Sequence, residues 1–358
     1  MKRGLPGAVR SALLTWYRRE RRDLPWRRTR DPWAIWVSET MLQQTRALTV
    51  IPYYERFLER FPTVQALADA EPDELMKSWA GLGYYSRARN LKAAAHKVVE
   101  EHAGRVPDDL EALRELPGVG RYTAGALASI AFDRPAPIVD GNVARVLARL
   151  LDLDLDVKSP AGQRRLWDEA AALADGPSPG DLNQALMELG ALVCTPRAPR
   201  CPLCPLREHC HGLAAGRAEA LPVKAPRAAP RAVEAVAALL ERGPRVLAVR
   251  RPPAGLLGGL WELPGGELLE GESPARGLAR ALRERVGLAP TRARRIGELT
   301  HGFTHRTLRL HLYRAEAGSG RVRRRELDAH RWLSLAALEA LPLSALAKKA
   351  LGVLGGHG

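Results

Sequence analysis

The sequence lacks long hydrophobic runs and contains very few cysteines. No stretch of about 18 consecutive apolar residues occurs, so we expect no membrane-spanning helix. The first 27 residues show no apolar core followed by a small-residue cleavage site, so we expect no secretory signal there. The four cysteines all fall within residues 194–210. This clustering argues against scattered disulfides and favours a reducing compartment.

Acidic residues are also in deficit. Lysine and arginine number 55 against 40 aspartate and glutamate, and the formal net charge of the 358 residues is +15. A surplus of this size makes a polyanion the natural partner, with nucleic acid ahead of a membrane surface. Charge alone does not separate this interpretation from an arginine-rich but merely solvated surface.

The chain changes character near residue 232. Apolar residues recur at spacings of three and four through residues 1–214, which predicts a mostly helical region. Ser11 is the predicted N-cap of the first helix. Residues 215–231 are rich in Ala, Pro and Arg and are predicted to be a linker. Residues 232–358 mix strand and helix patterns and predict a second, α/β domain; the strands are expected at 233–240, 245–251 and 307–316, and the helices at 274–286 and 335–353.

The cysteines have the spacing C-x6-C-x2-C-x5-C, with thiols at Cys194, Cys201, Cys204 and Cys210. Four thiolates in one short loop suit either tetrahedral zinc or a cubane iron–sulfur cluster. A pair of local disulfides is unattractive in a reducing compartment. The spacing by itself leaves zinc and iron–sulfur open.

The stretch ELPGVGRYTAGALA (115–128) interrupts one helical pattern and starts another at once. Gly118 and Gly120 permit a tight turn and a close backbone approach. Their amides, at the start of the next helix, would favour an anion such as a DNA phosphate. An ordinary turn between two helices remains the alternative.

Two carboxylic acids stand in contrasting contexts. Glu39 lies in the apolar segment WAIWVSETML, where burial would raise its pKa and keep it available as a general acid. Asp140 precedes a helix in PIVDGNVARVL, where amide donors and the helix dipole would hold it ionised. A solvent-facing glutamate and a simple helix cap are the plain alternatives. Together the pair matches what glycosidic cleavage requires.

Five segments resemble the MutY-type adenine DNA glycosylases of the endonuclease III superfamily: SETMLQQT (38–45), GLGYYSRARNL (81–91), LPGVGRYTAG (116–125), VDGNVARVLAR (139–149) and NQALMELGALVC (183–194). The resemblance implies an all-α helix–hairpin–helix glycosylase followed by an α/β Nudix-like domain. A [4Fe-4S] cluster would be held by the four cysteines. The implied domains are a cluster domain (1–27 with 137–214), a six-helix barrel (28–136), a linker (215–231) and a Nudix or MutT-like domain (232–358).

The same resemblance implies roles for individual residues. Glu39 would protonate N7 of adenine, Asp140 would stabilise the sugar cation, and Asn142 would orient that chemistry. Tyr122 occupies the position where lyase members carry a lysine, so no Schiff base is expected. The remaining implied DNA contacts are Arg22, Trp26, Arg27, Thr45, Leu82 and Gln184 for the adenine pocket, Leu42 and Gln44 for the pocket lining or duplex wedge, Tyr84 for intercalation, and Gly118 and Gly120 for the backbone. For Leu42, Leu82 and Trp26, plain core packing is an equal alternative.

The C-terminal region resembles a Nudix box in which two acidic positions are replaced. The matching residues are Gly266, Glu272, Arg280, Leu282, Glu284, Gly287 and Leu288. Ala281 and Arg285 stand where the pattern has carboxylates, so we expect the fold without the pyrophosphatase chemistry. Phe303, Thr304 and His305 resemble the family's lesion-reading Phe-Ser-His loop, with threonine in place of serine.

These features together predict a monofunctional glycosylase that removes adenine opposite 8-oxoguanine or guanine in double-stranded DNA. We expect a monomer in a bacterial cytoplasm, associated with the nucleoid through DNA binding. Three alternatives remain: a bifunctional pyrimidine-lesion glycosylase/lyase, which needs a lysine amine; a Nudix hydrolase with a DNA-binding appendage; and a non-catalytic iron–sulfur DNA-binding protein.

Overall fold

A computed structural model describes residues 5–223, 230–253, 255, 257–303, 306–323 and 327–355. The chain divides into two compact units. One comprises Met1–Asp69 with Arg89–Pro226, and the other comprises Ala70–Ala88 with Arg227–Gly358. Of the helices in the described ranges, none combines the length and apolarity needed to cross a bilayer.

The first part of the chain is helical, as predicted. Its helices are α1 (Leu5–Glu20), α2 (Pro32–Leu42), α3 (Ala47–Arg60), α4 (Val64–Ala68), α5 (Pro72–Trp79), α6 (Ser86–Glu101), α7 (Leu110–Arg114), α8 (Arg121–Ala126), α9 (Gly141–Leu150), α10 (Pro160–Ala174), α11 (Pro179–Leu192) and α12 (His211–Ala214). Three 3-10 turns lie at Pro25–Arg27, Cys201–Leu203 and Arg207–His209, and a π-helical turn, Leu127–Ala131, extends α8. The subdivision of this part into a barrel and a cluster domain stays a prediction.

Helix α1 begins earlier than the sequence suggested. It starts at Leu5, so Ser11 lies inside it and the prediction that Ser11 caps it is wrong. The apolar stripe explains the earlier start, since Val9, Leu13 and Tyr17 follow one another at intervals of four and are all fully buried.

Aspartate side chains cap the first turns of helices α2 and α9. Asp31 accepts hydrogen bonds from the amides of Trp33 and Ala34 at the start of α2. Asp140 accepts from Asn142 and Val143 at the start of α9, as the sequence predicted. Helix α2 is buried from Trp33 to Met41 and therefore carries Glu39 inside the helical unit.

The second unit contains a mixed sheet with buried residues on both faces. Its strands are β1 (Arg231–Arg242), β2 (Arg245–Arg250), β3 (Trp261–Glu262), β4 (Gly265–Glu267), β5 (Pro290–Gly302), β6 (Arg306–Ala317) and β7 (Ala329–Leu333). The order is β3-β2-β1-β6-β5, with β4 paired to β1 and β7 to β2. Strands β1 and β6 are parallel, with Arg231 opposite Arg306, and the other pairs are antiparallel.

The apolar run of β1 feeds two cores because successive side chains point to opposite faces. Ala235, Ala237 and Leu239 pack with helix α15 (Ala345–Gly355). Val236, Ala238 and Leu240 pack with helix α13 (Pro274–Val286). The sequence predicted the α/β character, β1, β2, β6 and α13. It predicted one helix over 335–353, but Pro342 lies in a break between α14 (Leu335–Glu339) and α15.

Candidate active site and cysteine loop

Glu39 is a buried acid with one hydroxyl partner. Only 4% of the residue is exposed. Tyr122 Oη donates a hydrogen bond to Glu39 Oε2 at 2.8 Å and lies 3.2 Å from Met187 Sδ. Burial raises the pKa of Glu39 to about 7, and nearby Asp140 adds to the rise, while the Tyr122 hydrogen bond opposes it. At neutral pH this carboxyl can therefore hold a proton and transfer it.

Asp140 is held by three donors at the start of α9. Its Oδ1 accepts from the amides of Asn142 at 2.9 Å and Val143 at 2.7 Å, and its Oδ2 accepts from Asn142 Nδ2 at 3.0 Å. We expected these donors to dominate its ionisation. They do lower the pKa of Asp140, but burial outweighs them and the pKa lies above its ordinary value.

A continuous set of hydrogen bonds connects Asp140 to the cysteine loop. Arg145 Nη2 donates to Asn142 Oδ1 at 2.9 Å and to the Gly190 carbonyl at 2.7 Å. Arg145 Nε donates to the carbonyl of Cys194 at 2.7 Å. One guanidinium thus positions both the amide that orients Asp140 and the first cysteine of the loop. This role of Arg145 could not be predicted from local sequence patterns, because its partners lie up to 49 residues away.

The four cysteines line one small cavity of about 20 Å3. Arg149 is almost fully buried and its Nη1 lies 3.3 Å from Cys194 Sγ. Burial, together with the neighbouring thiols, raises the pKa of Cys204 to about 11. Within the described ranges, no three His, Cys, Asp or Glu side chains converge as ligands of a single metal ion. Four thiols that line one cavity have the donor set of either tetrahedral zinc or a cubane iron–sulfur cluster.

A charged group links the N-terminal turn to α11. Glu188 is fully buried and accepts hydrogen bonds from Arg22 Nη2 at 2.6 Å and Arg27 Nη2 at 2.9 Å. These partners hold the pKa of Glu188 at about 2, against the opposing effect of burial. Trp26 is 6% exposed and packs edge-on against Tyr54. Arg22, Trp26 and Arg27 were predicted from the sequence, but Glu188 was not. Its signal is a lone carboxylate in the apolar helical segment NQALMELGAL.

Other predicted contacts of the helical unit lie around the end of α2. Gln44 is exposed and has a positive φ of 60°, while Leu42 and Thr45 are half-buried. Gln184 is half-buried on α11, one turn before Glu188. Gln44 lies two residues beyond the end of α2, in a left-handed backbone conformation that is uncommon for a residue with a side chain.

The two glycines of the hairpin differ in whether a side chain could replace them: Gly118 has no room for one, and Gly120 has. Gly118 has a φ of +76°, and a Cβ there would lie 2.6 Å from the Cβ of Asn90. Gly120 is the N-cap of α8 with a φ of −85°, and its Cβ would meet open space. Both glycines are exposed, so the turn presents its backbone to solvent at a helix start.

Leu82 and Tyr84 belong to the second unit, within Ala70–Ala88. Leu82 is 6% exposed, whereas Tyr84 is 46% exposed with a positive φ of 47°. Arg87 is buried and donates to the carbonyls of Leu82 and Gly83 at 3.2 and 3.0 Å. Its guanidinium also lies over the rings of Tyr84 and Trp79. This buried arginine therefore fixes the turn that presents Tyr84.

At the Nudix-like positions, two arginines form ion pairs with glutamates. Arg280 binds Glu272 through Nε and Nη2, both at 2.8 Å, and Glu284 through Nη1 at 2.9 Å. Ala281 lies on α13 and is 2% exposed, in the core between that helix and the sheet. Arg285 donates to the Gly265 carbonyl at 2.8 Å and to Glu262 at 3.1 Å.

Phe303 is the described member of the predicted lesion-reading loop. It is half-buried, next to the ring of His301 and beneath the guanidinium of Arg306. Thr304 and His305 lie outside the described residues.

Comparisons with known proteins find two families in succession along the chain, and residues 70–88 of the second unit fall within the first match. Residues 37–168 match the HhH-GPD superfamily of base excision DNA repair proteins, and residues 235–352 match the NUDIX domain. A thermostable thymine-DNA glycosylase structure shares 32% identity at a TM-score of 0.55, covering 59% of this chain and 97% of that one. The predicted fold class, a helix–hairpin–helix glycosylase region followed by a Nudix-like domain, is confirmed.

Two curated relatives carry the family assignment. Adenine DNA glycosylase of Rattus norvegicus is 39% identical over 404 residues, covering 98% of this chain and 78% of the rat protein. Adenine DNA glycosylase of Homo sapiens is 40% identical over 362 residues, covering 86% of this chain and 66% of the human protein. Likeness of this extent spans both units, and the chain belongs to the adenine DNA glycosylase family.

Proposed function

We propose that this chain is a monofunctional adenine DNA glycosylase of base excision repair. It hydrolyses the N-glycosidic bond of adenine paired with 8-oxoguanine or guanine in double-stranded DNA, acting as a monomer on the bacterial nucleoid. The observation that carries the proposal is the buried Glu39. Burial and nearby Asp140 raise its pKa to about 7, against the opposing hydrogen bond from Tyr122. This is an acid available at neutral pH next to a second carboxylate.

The chemistry divides between the two carboxyl groups. Glu39 donates its proton to N7 of the extruded adenine and so makes the base a better leaving group. Asp140, ordered by its three donors, stabilises the positive charge that develops on the sugar before water attacks C1′. Tyr122 keeps the Glu39 carboxyl oriented and supplies no amine, so the reaction stops after base removal.

Base selection is assigned to the residues around the buried Glu188. Arg22 and Arg27 both bind that carboxylate, and Trp26 lies next to Arg27 in the turn Pro25–Arg27. Guanidinium donors and an aromatic ring are groups that can hold a flipped base. Leu42, Gln44, Thr45, Leu82, Tyr84 and Gln184 are proposed to complete the contacts to the base and the opened duplex, and Gly118 and Gly120 to hold the backbone.

We assign a [4Fe-4S] cluster to Cys194, Cys201, Cys204 and Cys210. The shared cavity and the buried cation at Arg149 support a group held by four thiolates. When bound, the cluster would stabilise this loop by cross-linking it. Arg145, which donates to the carbonyl of Cys194 and to Asn142 Oδ1, would then hold Asn142 against the ordered loop.

The second unit is proposed to read 8-oxoguanine opposite the adenine, through Phe303 with Thr304 and His305. The loss of carboxylates at Ala281 and Arg285 supports a reading role without pyrophosphatase chemistry.

The test is single-turnover release of adenine from a duplex containing one A:8-oxoguanine pair. Wild-type protein should release adenine without cutting the strand, and Glu39→Gln should bind the duplex but release none. Release by Glu39→Gln would remove the acid assignment. Efficient borohydride trapping of a protein–DNA adduct would favour the bifunctional lyase instead.

A further inference from the structure

Arg149, near the end of helix α9, is a buried cation whose hydrogen-bond partners carry no full negative charge. The residue is 2% exposed. Its Nε donates to the carbonyl of Leu221 at 3.0 Å, its Nη1 to that of Thr195 at 2.7 Å and its Nη2 to that of Pro196 at 3.3 Å. Among the described residues, no carboxylate joins these carbonyls as a partner of the guanidinium. Carbonyl oxygens satisfy its donors, but a buried charge without a counter-charge is strongly unfavourable.

The remaining partner of Arg149 is a sulfur atom of the cysteine loop. Arg149 Nη1 lies 3.3 Å from Sγ of Cys194, the first cysteine, and the thiol of Cys210, the last one, donates to the Arg149 carbonyl at 3.4 Å. Arg149 also lines the cavity of about 20 Å3 that the four cysteines share. Four thiolates bound to zinc or to a cubane cluster keep a net negative charge, because the thiolate charges exceed that of the metal core. A group held by these cysteines would therefore supply the counter-charge of Arg149.

A second arginine on the same helix increases the need for an anion at the loop. Arg145 lies one turn before Arg149 and is 9% exposed. It donates to the carbonyls of Gly190 and Cys194 and to Asn142 Oδ1. Like charges at this spacing on a helix repel each other. Arg145 reaches the loop through a carbonyl, whereas Arg149 contacts a sulfur, so Arg149 is the one placed to bond to a ligand atom.

We propose that Arg149 is the buried counter-cation of the four-thiolate centre, and that its charge retains the bound group and raises the group's reduction potential. The inference rests on the cluster assigned above and adds a positioning residue that is not itself a ligand. A cation held against a ligand sulfur stabilises the more negative, reduced state of a cluster, which raises the potential. Loss of the group would leave the Arg149 charge buried and uncompensated, so the same charge opposes release of the metal.

The experiment compares Arg149→Gln and Arg149→Lys with wild type in the full chain. Glutamine removes the charge, whereas lysine keeps it but cannot fork to three carbonyls. Voltammetry, in which the electrode supplies the electron, should find the midpoint potential of Arg149→Gln lower by at least about 59 mV, a tenfold change in the one-electron equilibrium. Arg149→Lys should stay close to wild type. Arg207→Gln is the matched control, since Arg207 lines the same cavity but is exposed, and its charge is screened by solvent.

Release of the metal to a chelator is the second measurement. Arg149→Gln should release it at least about tenfold faster than wild type, whereas Arg149→Lys and Arg207→Gln should release it at the wild-type rate. A lysine variant as impaired as the glutamine variant would show that Arg149 only holds the loop in place. That result, equal values in all four proteins, or an equal shift in Arg207→Gln would each overturn the proposal. If Arg149→Gln does not fold, Arg149→Lys decides alone, because a role for the charge predicts wild-type values and a merely structural role predicts loss.

Iron and sulfide analysis of the wild type separates this inference from the cluster assignment. Zinc in place of iron would remove the assignment, and the chelator measurement would then test the counter-cation on the zinc centre. An intact iron cluster with unchanged potential and release in Arg149→Gln would overturn the inference alone. A wild-type protein that binds neither metal would overturn both.

Discussion

The hydroxyl of Tyr122 donates to the buried carboxyl of Glu39 across 2.8 Å and 83 residues of chain. This bond favours the ionised acid and so lowers the Glu39 pKa, while burial raises it to about 7. The two residues thus set the acid's strength between them. The contribution of the hydrogen bond to the Glu39 pKa can be measured separately, because substitution of Tyr122 removes the hydroxyl.

Tyr122→Phe should move the alkaline limb of the pH–rate profile upward. Because the proposed general acid Glu39 must be protonated to act, the rate of adenine release should fall as pH rises through about 7 in the wild type. Without the hydroxyl, the pKa rises further and the limb moves to higher pH. Single-turnover rates between pH 5 and 9 measure it. A limb that stays in place, or moves to lower pH, would contradict the role of Tyr122.

Glu39→Gln should stabilise the protein at alkaline pH. The folded-state pKa of about 7 exceeds the ordinary 4.5, so the stability that this group contributes is fully present below 4.5 and is lost as pH rises through 7. The loss amounts to about 3 kcal/mol. Chemical denaturation should therefore find the variant more stable than wild type at pH 8, with a smaller advantage at pH 5. An advantage that does not depend on pH would refute a buried ionisation.

The two hairpin glycines should respond differently to alanine. Gly118→Ala forces a side chain into a left-handed backbone and against Asn90, and should cost roughly 2 kcal/mol or more. Gly120→Ala meets open space and loses only a favourable helix cap, roughly 1 kcal/mol or less. Urea denaturation measures both. Equal costs would show that the hairpin geometry has been misassigned.

Glu188→Gln should destabilise the helical unit strongly. It leaves the guanidinium groups of Arg22 and Arg27 without their buried counter-charge, a loss of about 3 kcal/mol or more. Glu20→Gln, which removes an exposed pair with Arg19, is the matched control and should cost less than about 1 kcal/mol. Thermal denaturation compares the variants. A Glu188→Gln protein as stable as the control would mean that the buried pair is dispensable.

Arg87→Lys should weaken duplex binding while leaving the chemical step intact. Lysine keeps the charge but cannot fork to the carbonyls of Leu82 and Gly83, so the turn that presents Tyr84 loosens. Binding titrations in a Glu39→Gln background should show at least about tenfold weaker affinity, whereas the saturating rate with Glu39 present should be unchanged. A slower rate at unchanged affinity would place Arg87 elsewhere in the reaction.

Local patterns in the sequence predicted much of the fold. The Asp140 cap was visible because a capping residue precedes an apolar period, and the burial of Glu39 was visible from its neighbours. Strand β5 was not, since most of its side chains are exposed or half-buried and the residues TRARRIGELTHG carry no alternating apolar signal. It is held mainly by pairing with β6.

Hydrogen-bond partners that are far apart along the chain could not be predicted, for a different reason. Glu188 meets Arg22 across 166 residues, and Arg145 meets Cys194 across 49. No spacing rule along the chain encodes such pairs, because only the packed helices bring them together. The sequence could therefore name the candidate acid Glu39 and the candidate carboxylate Asp140, but not the pairing of Glu188 with Arg22 or of Arg145 with Cys194.

The burial of Ala281 opposes a carboxylate at that position. A glutamate at 281 would enter the core beside Leu278 and Leu282, and one at 285 would set a second carboxylate against Glu262. Each of the two substitutions that would restore the acidic Nudix pattern is therefore unfavourable on its own.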